Sequence, residues 1–279
     1  MKKFLLLLII FGFGLGGKLA GQSLVVMTYN LRYDNPGDGA NTWSLRRDWL
    51  AEQIKSTDPA ILGIQEGLIA QLRFLDKKLK KYRRIGVGRD DGKEKGEFSA
   101  IYYNIKKTKL LHQGTFWLSP TPEKVSKGWD AALERICTYG LFLDRTTGEK
   151  FWTFNTHFDH MGVEARKNSA ILILQKIKSL NIDNLPVVLT GDFNSGPESE
   201  PIQHLITILK DAKEADKSMN MAPDGTFNAF NAEKPATERI DFIFTGSGFQ
   251  AVNYYVIREK REGRFASDHF PVIAEIKVQ

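Results

Sequence analysis

Cysteine is almost missing from this chain of 279 residues: Cys137 stands alone. No internal disulfide can form, so stability has to come from an apolar core. There is no cysteine cluster and no His-Glu-x-x-His helix, which argues against a zinc site. No Ser/Gly/Pro-rich linker, low-complexity tract or short repeat divides the chain, and residues 23–279 are expected to form one domain. Long apolar runs are scarce too. The run from Phe4 to Leu15 is shorter than the roughly 20 residues a membrane-spanning helix needs. It follows Lys2 and Lys3 and ends at Leu19-Ala20-Gly21, so residues 1–22 read as a secretory signal peptide cleaved near Gly21 or Gln22. Gln22 stands where a lipoprotein would need cysteine. A soluble exported protein, periplasmic or extracellular, is therefore expected, with no integral membrane span after cleavage.

Strong basicity is absent once that leader is set aside. The whole chain carries 39 Lys and Arg against 33 Asp and Glu, a net charge of +6; the leader holds Lys2, Lys3 and Lys18 and no acid, which leaves +3. That is weak support for a polyanionic partner. Lys77, Lys78, Lys80, Lys81, Arg83 and Arg84 form one basic run, but an apolar stripe shares its helix and the run reads as a solvated face.

What is present is a series of short apolar strands that end in polar residues. Leu24 to Tyr29 reads as a strand ending at Asn30, and a Gly/Asn/Asp loop follows. Ser44 is a candidate N-cap for a helix with Leu45, Trp49 and Gln53 or Ile54 on one face. Ala60 to Gln65 is a second strand, delivering Glu66, and the next helix carries Leu68, Leu72, Leu75 and Leu79. Tyr82 to Val87, Phe98 to Tyr103 and Thr108 to Leu111 look like meander strands. Ser119 to Glu134 is a long irregular segment whose Trp129 suits either substrate contact or burial. Thr138 to Leu143 and Lys150 to Thr156 follow, the latter running into His157, Asp159 and His160. A helix opened by Gly162 leads to the stretch Leu185 to Pro197, a short buried strand from Pro186 followed by a tight Gly-Asp-Phe-Asn loop that presents Asp192 and Asn194. Three strands close the chain, near Ile240 to Phe244, Ala251 to Ile257 and Phe270 to Val278, bringing Asp241, Asp268 and His269. The fold class expected is α/β: two mainly antiparallel sheets packed face to face with helices outside.

Six strand ends thus carry polar groups that a core does not require: Asn30, Glu66, His157 with Asp159, Asp192 with Asn194, Asp241, and Asp268 with His269. Singly, each has an ordinary structural reading: Asn30 could cap a turn, Asp241 could pair with Arg239, and His269 could be a satisfied core histidine. Gathered into one cleft, hard oxygen donors favour Mg²⁺ or Mn²⁺ over zinc. Carboxylates with two imidazoles around such a cation match hydrolysis of a phosphate ester.

Tyr29-Asn30, Gln65-Glu66, Asn155-Thr156-His157, Gly191-Asp192-Phe193-Asn194, Arg239-Ile240-Asp241-Phe242 and Ser267-Asp268-His269-Phe270-Pro271 occur in this order. Together they resemble the motifs of the endonuclease/exonuclease/phosphatase superfamily, which contains deoxyribonuclease I, apurinic endonucleases, deadenylases, sphingomyelinases and inositol-polyphosphate phosphatases. The resemblance implies a four-layered α/β sandwich and a Mg²⁺-dependent phosphoesterase. It makes Glu66 the principal metal ligand, with Asn30 placing metal or phosphate. Asp192 would activate water positioned by Asn194, Asp268 would orient His269 or bind metal, and Asp241 and His157 would contact the phosphate. Glu97 and Arg135 lie where deoxyribonuclease-like members place groups near the phosphate. Asp159 and His160 are either local additions to the site or, for Asp159, a partner that orients His157.

The chain also departs from the pattern. Leu68 stands where deoxyribonuclease-like members have Arg, and the segment Trp117-Leu118-Ser119 with Gly128-Trp129-Asp130-Ala131-Ala132 is closer to the deadenylase-like branch and its secreted bacterial relatives. The first expectation is a monomeric phosphodiesterase acting on DNA, RNA or nucleotides. A phosphomonoesterase, or a sphingomyelinase-like or sugar-phosphate esterase, is the second. A catalytically silent binding module on the same fold is the third.

Overall fold

The computed structural model describes residues 23–215 and 224–279, and the expected signal peptide lies outside them. Short β-branched and aromatic runs pair into two six-stranded sheets. The first contains β1 (Leu24–Asn30), β2 (Ile61–Gly67), β3 (Tyr82–Ile85), β4 (Phe98–Asn104), β11 (Phe249–Val256) and β12 (Val272–Val278), in the order β11-β12-β1-β2-β4-β3. The second contains β5 (Thr108–Trp117), β6 (Ile136–Asp144), β7 (Lys150–His157), β8 (Val187–Asp192), β9 (Lys210–Asp211) and β10 (Asp241–Thr245), in the order β5-β6-β7-β8-β10-β9. Among the described strands only β1 with β2 and β7 with β8 run parallel. A parallel pair needs a crossover, and α1 (Trp43–Thr57) and α3 (Val163–Leu180) provide the two. The mainly antiparallel sandwich read from the sequence is the fold observed.

Three apolar layers hold it together. α1 and α2 (Ile69–Lys78) pack Leu50, Ile54, Leu72 and Leu75 against Tyr29 and Ile64 of the first sheet. Between the sheets, Val26, Ile61 and Ile101 meet Phe142, Phe151 and Val188. Outside the second sheet, Ala170 and Ile173 of α3 and Ile202 and Leu205 of α4 (Glu200–Ile206) cover Phe154, Leu189 and Phe244. Towards the polar strand ends the inter-sheet layer changes character. Gln65 Nε2 donates to Thr28 Oγ1 (3.0 Å) and Asn155 Oδ1 (2.7 Å), and Asn155 Nδ2 returns to the Ile64 and Ala100 carbonyls at 2.9 Å each. This buried network ties one sheet to the other, and Gly63 leaves room for it: a Cβ there would lie 2.3 Å from Thr190 Oγ1.

The first helix differs from expectation. It begins at Trp43, not after Ser44, and Leu45 is 64% exposed while Trp43, Arg46, Leu50 and Ile54 face inward. The face was misread because a guanidinium is ordinarily given to solvent, whereas Arg46 is buried on main-chain carbonyls. The irregular segment 119–134 remains without helix or strand, and β5 runs six residues beyond the expected Leu111. In the basic run, expected to be a solvated face, three of the six residues pair with acids: Lys78 with Asp48 (2.6 Å), Arg84 with Asp76 (3.1 Å) and Lys81 with Asp58 (3.9 Å). No helix among the described residues is long and apolar enough to cross a membrane.

Candidate active site

Strand register assembles the site. His157 ends β7 opposite Asp192 at the end of parallel β8, and Asp192 in turn faces Asp241 at the start of antiparallel β10. From the first sheet, Asn30 ends β1, and Glu66 sits in an irregularity of the β2–β4 ladder with a left-handed φ of 62°. A bulge of this kind re-aims a side chain. Asn30 bridges the two sheets, its Nδ2 donating to Glu66 Oε1 and to Asp192 Oδ2 at 2.9 Å each. The Gly-Asp-Phe-Asn turn is anchored by Phe193, buried among Phe158, Phe242 and Phe244. It places the Asn194 amide 2.9 Å from Asp192 Oδ1.

The groups converge on a cleft of about 530 Å³ lined by Glu66, Glu97, Arg135, His157, His160, Asp192, Asn194, Asp268 and His269, with Arg32, Tyr33, Leu133, Phe227, Glu238 and Ile240. Asn30 and Asp241 lie directly behind that lining. Trp129 and Asp159 are not in it. Trp129 is 39% exposed on the irregular segment with a φ of 48°. Asp159 is buried and accepts main-chain N–H groups of Ala132, Leu133, Met161 and Gly162. It also lies 3.3 Å from Arg135 Nε. It therefore orients Arg135, not His157, and pins the segment that carries Leu133.

The two imidazoles differ in charge state. Asn194 Nδ2 lies 3.0 Å from both His157 Nε2 and the Phe158 carbonyl, so each amide hydrogen has an acceptor and the ring proton sits on Nδ1. Burial, with the Arg135 and Arg89 charges behind it, pushes His157 well below the ordinary histidine value, so it is neutral. Its Nδ1 is buried without a hydrogen-bond partner among the described residues, 3.8 Å from Glu97 Oε2. Glu97 itself is held by Arg89 at 2.7 and 3.0 Å, and burial raises its pKa. For His269 burial works in the same downward sense, but the carboxylates of Asp241 and Asp192 outweigh it and hold the ring well above its ordinary value. His269 Nδ1 is 2.9 Å from Asp241 Oδ2, and Phe227 packs on the ring with centroids 4.9 Å apart. Arg239 pairs with Asp211 at 2.7 Å instead of with Asp241. Asp192 is pushed up to about 7, by burial first and by the Asp241 charge second. Burial also raises Asp268, against the pull of His269 and Arg32.

Two groups of ligand atoms lie within 4.8 Å of one another: Glu66 with His157 and Asp192, and Asp192 with Asp241 and His269. The second is a charge triad, since its imidazole is protonated and bonded to Asp241. The first, with Asp268 alongside, presents carboxylate oxygens crowded enough for one to be driven towards neutrality, and a divalent cation fits that donor set. Asn30 directs its amide hydrogens at Glu66 and Asp192 and its Oδ1 at the Arg32 N–H, so in this arrangement it holds the ligands in place. Leu68 leaves the position two residues after Glu66 uncharged, and the cation of this wall is Arg32, 3.7 Å from Asp268 Oδ2. Arg32 and Tyr33 lie two and three residues after Asn30, Glu238 directly precedes the Asp241 motif and Ile240 is within it, so nearness to a motif was a usable signal for these four. Phe227 lies in a Gly/Pro-punctuated stretch with no periodicity to mark it.

Residues 27–269 match the model of the endonuclease/exonuclease/phosphatase family. A mannosyl-6-phosphatase of Bacteroides thetaiotaomicron is 41% identical, with 91% of this chain and 99% of that one covered and a TM-score of 0.84. An endonuclease/exonuclease/phosphatase family protein of the same organism is also 41% identical, covering 93% and 99%, with a TM-score of 0.86. An uncharacterized protein of Acanthamoeba polyphaga mimivirus is 30% identical over 166 residues, 55% of this chain, and the match spans only 59% of that relative's length. The chain belongs to the endonuclease/exonuclease/phosphatase family, whose members are phosphoric ester hydrolases.

Proposed function

We propose that the protein is a Mg²⁺- or Mn²⁺-dependent phosphomonoesterase whose substrate is a sugar phosphate, and that it is exported behind residues 1–22. The observation that carries this reading is where the cations are. Arg32, Arg135 and the His269 imidazolium face one short cleft of about 530 Å³, while in the basic run outside Lys78, Lys81 and Arg84 are paired with acids. A polynucleotide needs a stripe of free cations along its backbone; a terminal phosphate needs a few at one point. This order reverses the sequence-based preference for a phosphodiester. The 41% identity to a mannosyl-6-phosphatase supports it.

A divalent cation held by Glu66, with Asp268 and Asp192 beside it, would supply positive charge to the phosphoryl oxygens. The protein's own groups do the rest. Asp192, poised near neutral pH and steadied by the Asn30 amide and the Asn194 N–H, accepts the proton of the attacking water. His157, neutral and steadied at Nε2 by Asn194, and Arg135 line the cleft where the phosphoryl oxygens would lie. His269, kept protonated by Asp241, is the proton source for the departing sugar oxygen.

The test compares phosphate release from mannose 6-phosphate and p-nitrophenyl phosphate with cleavage of bis(p-nitrophenyl) phosphate and single-stranded DNA. Preference for the monoesters supports the proposal. Preference for either diester restores the phosphodiesterase, and silence on all four favours a binding module.

A further inference from the structure

We propose that Arg46 is a positioning residue for the metal site, acting on Asn30 and Glu66 through two consecutive peptide groups; the inference rests on the reading that this pair serves a cation. Arg46 is 3% exposed, and every hydrogen bond it makes goes to a main-chain carbonyl. Nη1 donates to Leu31 and to Ala266 (3.2 Å), Nη2 to Arg32 (2.6 Å) and Nε to Asn41 (2.9 Å). The Trp43 and Phe230 rings flank the guanidinium at 5.2 and 5.7 Å.

The far sides of two of those peptides face the site. The Leu31–Arg32 peptide accepts from Arg46 on its carbonyl and donates from its N–H to Asn30 Oδ1 at 2.9 Å. The Arg32–Tyr33 peptide accepts from Arg46 and from Gln71 Nε2 (3.0 Å) and donates from its N–H to Glu66 Oε2 at 3.0 Å. Arg32 has a left-handed φ of 55°, which turns successive N–H groups to one side as an anion-binding nest. Arg46 thus stands behind the nest as Asn30 and Glu66 stand before it. A cation on the carbonyl side polarises each peptide so that its N–H donates more strongly, and it fixes the orientation of both. Its bond to the Ala266 carbonyl extends the grip to the strand entry that carries Asp268.

Partners that orient ligands from behind typically change metal affinity by about 10- to 100-fold when lost. The experiment measures Mn²⁺ binding to the full chain by calorimetry and by the paramagnetic resonance of free Mn²⁺, alongside activity. The variants are Arg46→Met, Arg46→Lys and Gln71→Leu, with Glu66→Gln as reference. Arg46→Met is expected to raise the Mn²⁺ dissociation constant by about 10-fold or more. Arg46→Lys, which keeps the charge but cannot fork between two carbonyls, should fall between it and the parent, and Gln71→Leu should shift the constant less in the same direction. The Mn²⁺ requirement for half-maximal activity should move in parallel, with a smaller fall in kcat at saturating Mn²⁺. Should Arg46→Met fail to fold, Arg46→Lys decides. A folded Arg46→Lys with parental Mn²⁺ affinity, against a Glu66→Gln that has lost binding, overturns the inference and leaves the metal site standing. Parental binding by Glu66→Gln removes the metal site itself, and the inference with it.

Discussion

Asp192 and Asp241 stand opposite one another on neighbouring antiparallel strands, and one imidazolium lies between their carboxylates: His269 is 2.9 Å from Asp241 and 3.7 Å from Asp192. Neither acid could be buried there alone at modest cost, and the ring could not stay charged without them. Removing one member changes the other two. Asp241→Asn should let burial return His269 towards neutrality, and kcat should fall by about 10²- to 10⁴-fold. A raised histidine pKa contributes stability in full below the unfolded value of 6.5 and loses it as pH rises through the folded value. The His269 share of the stability lost in Asp241→Asn should therefore be largest in acid and shrink in alkali. Thermal unfolding of both proteins across that range checks it.

Asp192 shows linkage of the same sign at lower pH. Its folded value of about 7 lies above its ordinary 3.8, so its ionisation costs stability increasingly as pH rises from about 4 to about 7 and by a constant amount above. Metal-free Asp192→Asn should match the parent near pH 4 and become the more stable of the two above pH 7. The gap should reach a few kcal/mol at most, since each tenfold change in acidity is worth about 1.4 kcal/mol. Added Mg²⁺ should narrow it. A gap that does not widen with pH counts against the buried charge.

Asp159 holds the segment from Ala132 to Arg135 through main-chain N–H groups and the Arg135 guanidinium. Asp159→Ala strands several buried donors, each costing about 1–3 kcal/mol where water cannot reach it. KM should rise more than kcat falls if Arg135 serves, as proposed, to bind the phosphate and not to transfer a proton. Steady-state kinetics at fixed Mg²⁺ separates the two.

Gly63→Ala tests the inter-sheet lock. Its Cβ would lie 2.3 Å from Thr190 Oγ1 and 2.5 Å from Asn155 Oδ1, and such crowding typically costs about 1–3 kcal/mol. Denaturant unfolding should record that loss.

The strands could be read because each is a short apolar run closed by a polar residue, and register then did the assembling. His157, Asp192 and Asp241 lie far apart in the sequence but fall in one row across β7, β8 and β10. Their charge states could not be read, because they depend on neighbours brought in by the fold: Arg135 and Arg89 for His157, Asp241 for His269. Arg46 was hidden for the same reason. An arginine spaced for the buried face of a helix looks like a break in the apolar stripe until its carbonyl partners are seen. Asp159 drew notice by lying two residues from His157, and its carboxylate turned out to serve the backbone instead.

The central claim is cation-dependent attack of water at phosphorus with Asp192 as base. The most direct measurement is phosphate release from mannose 6-phosphate by the parent and by Asp192→Asn, each in saturating Mg²⁺ and after chelation. The account predicts that chelation abolishes parental turnover, that Mg²⁺ restores it, and that Asp192→Asn is slower by at least about 10²-fold in Mg²⁺. Parental rates in the chelated enzyme, or in Asp192→Asn, would contradict it.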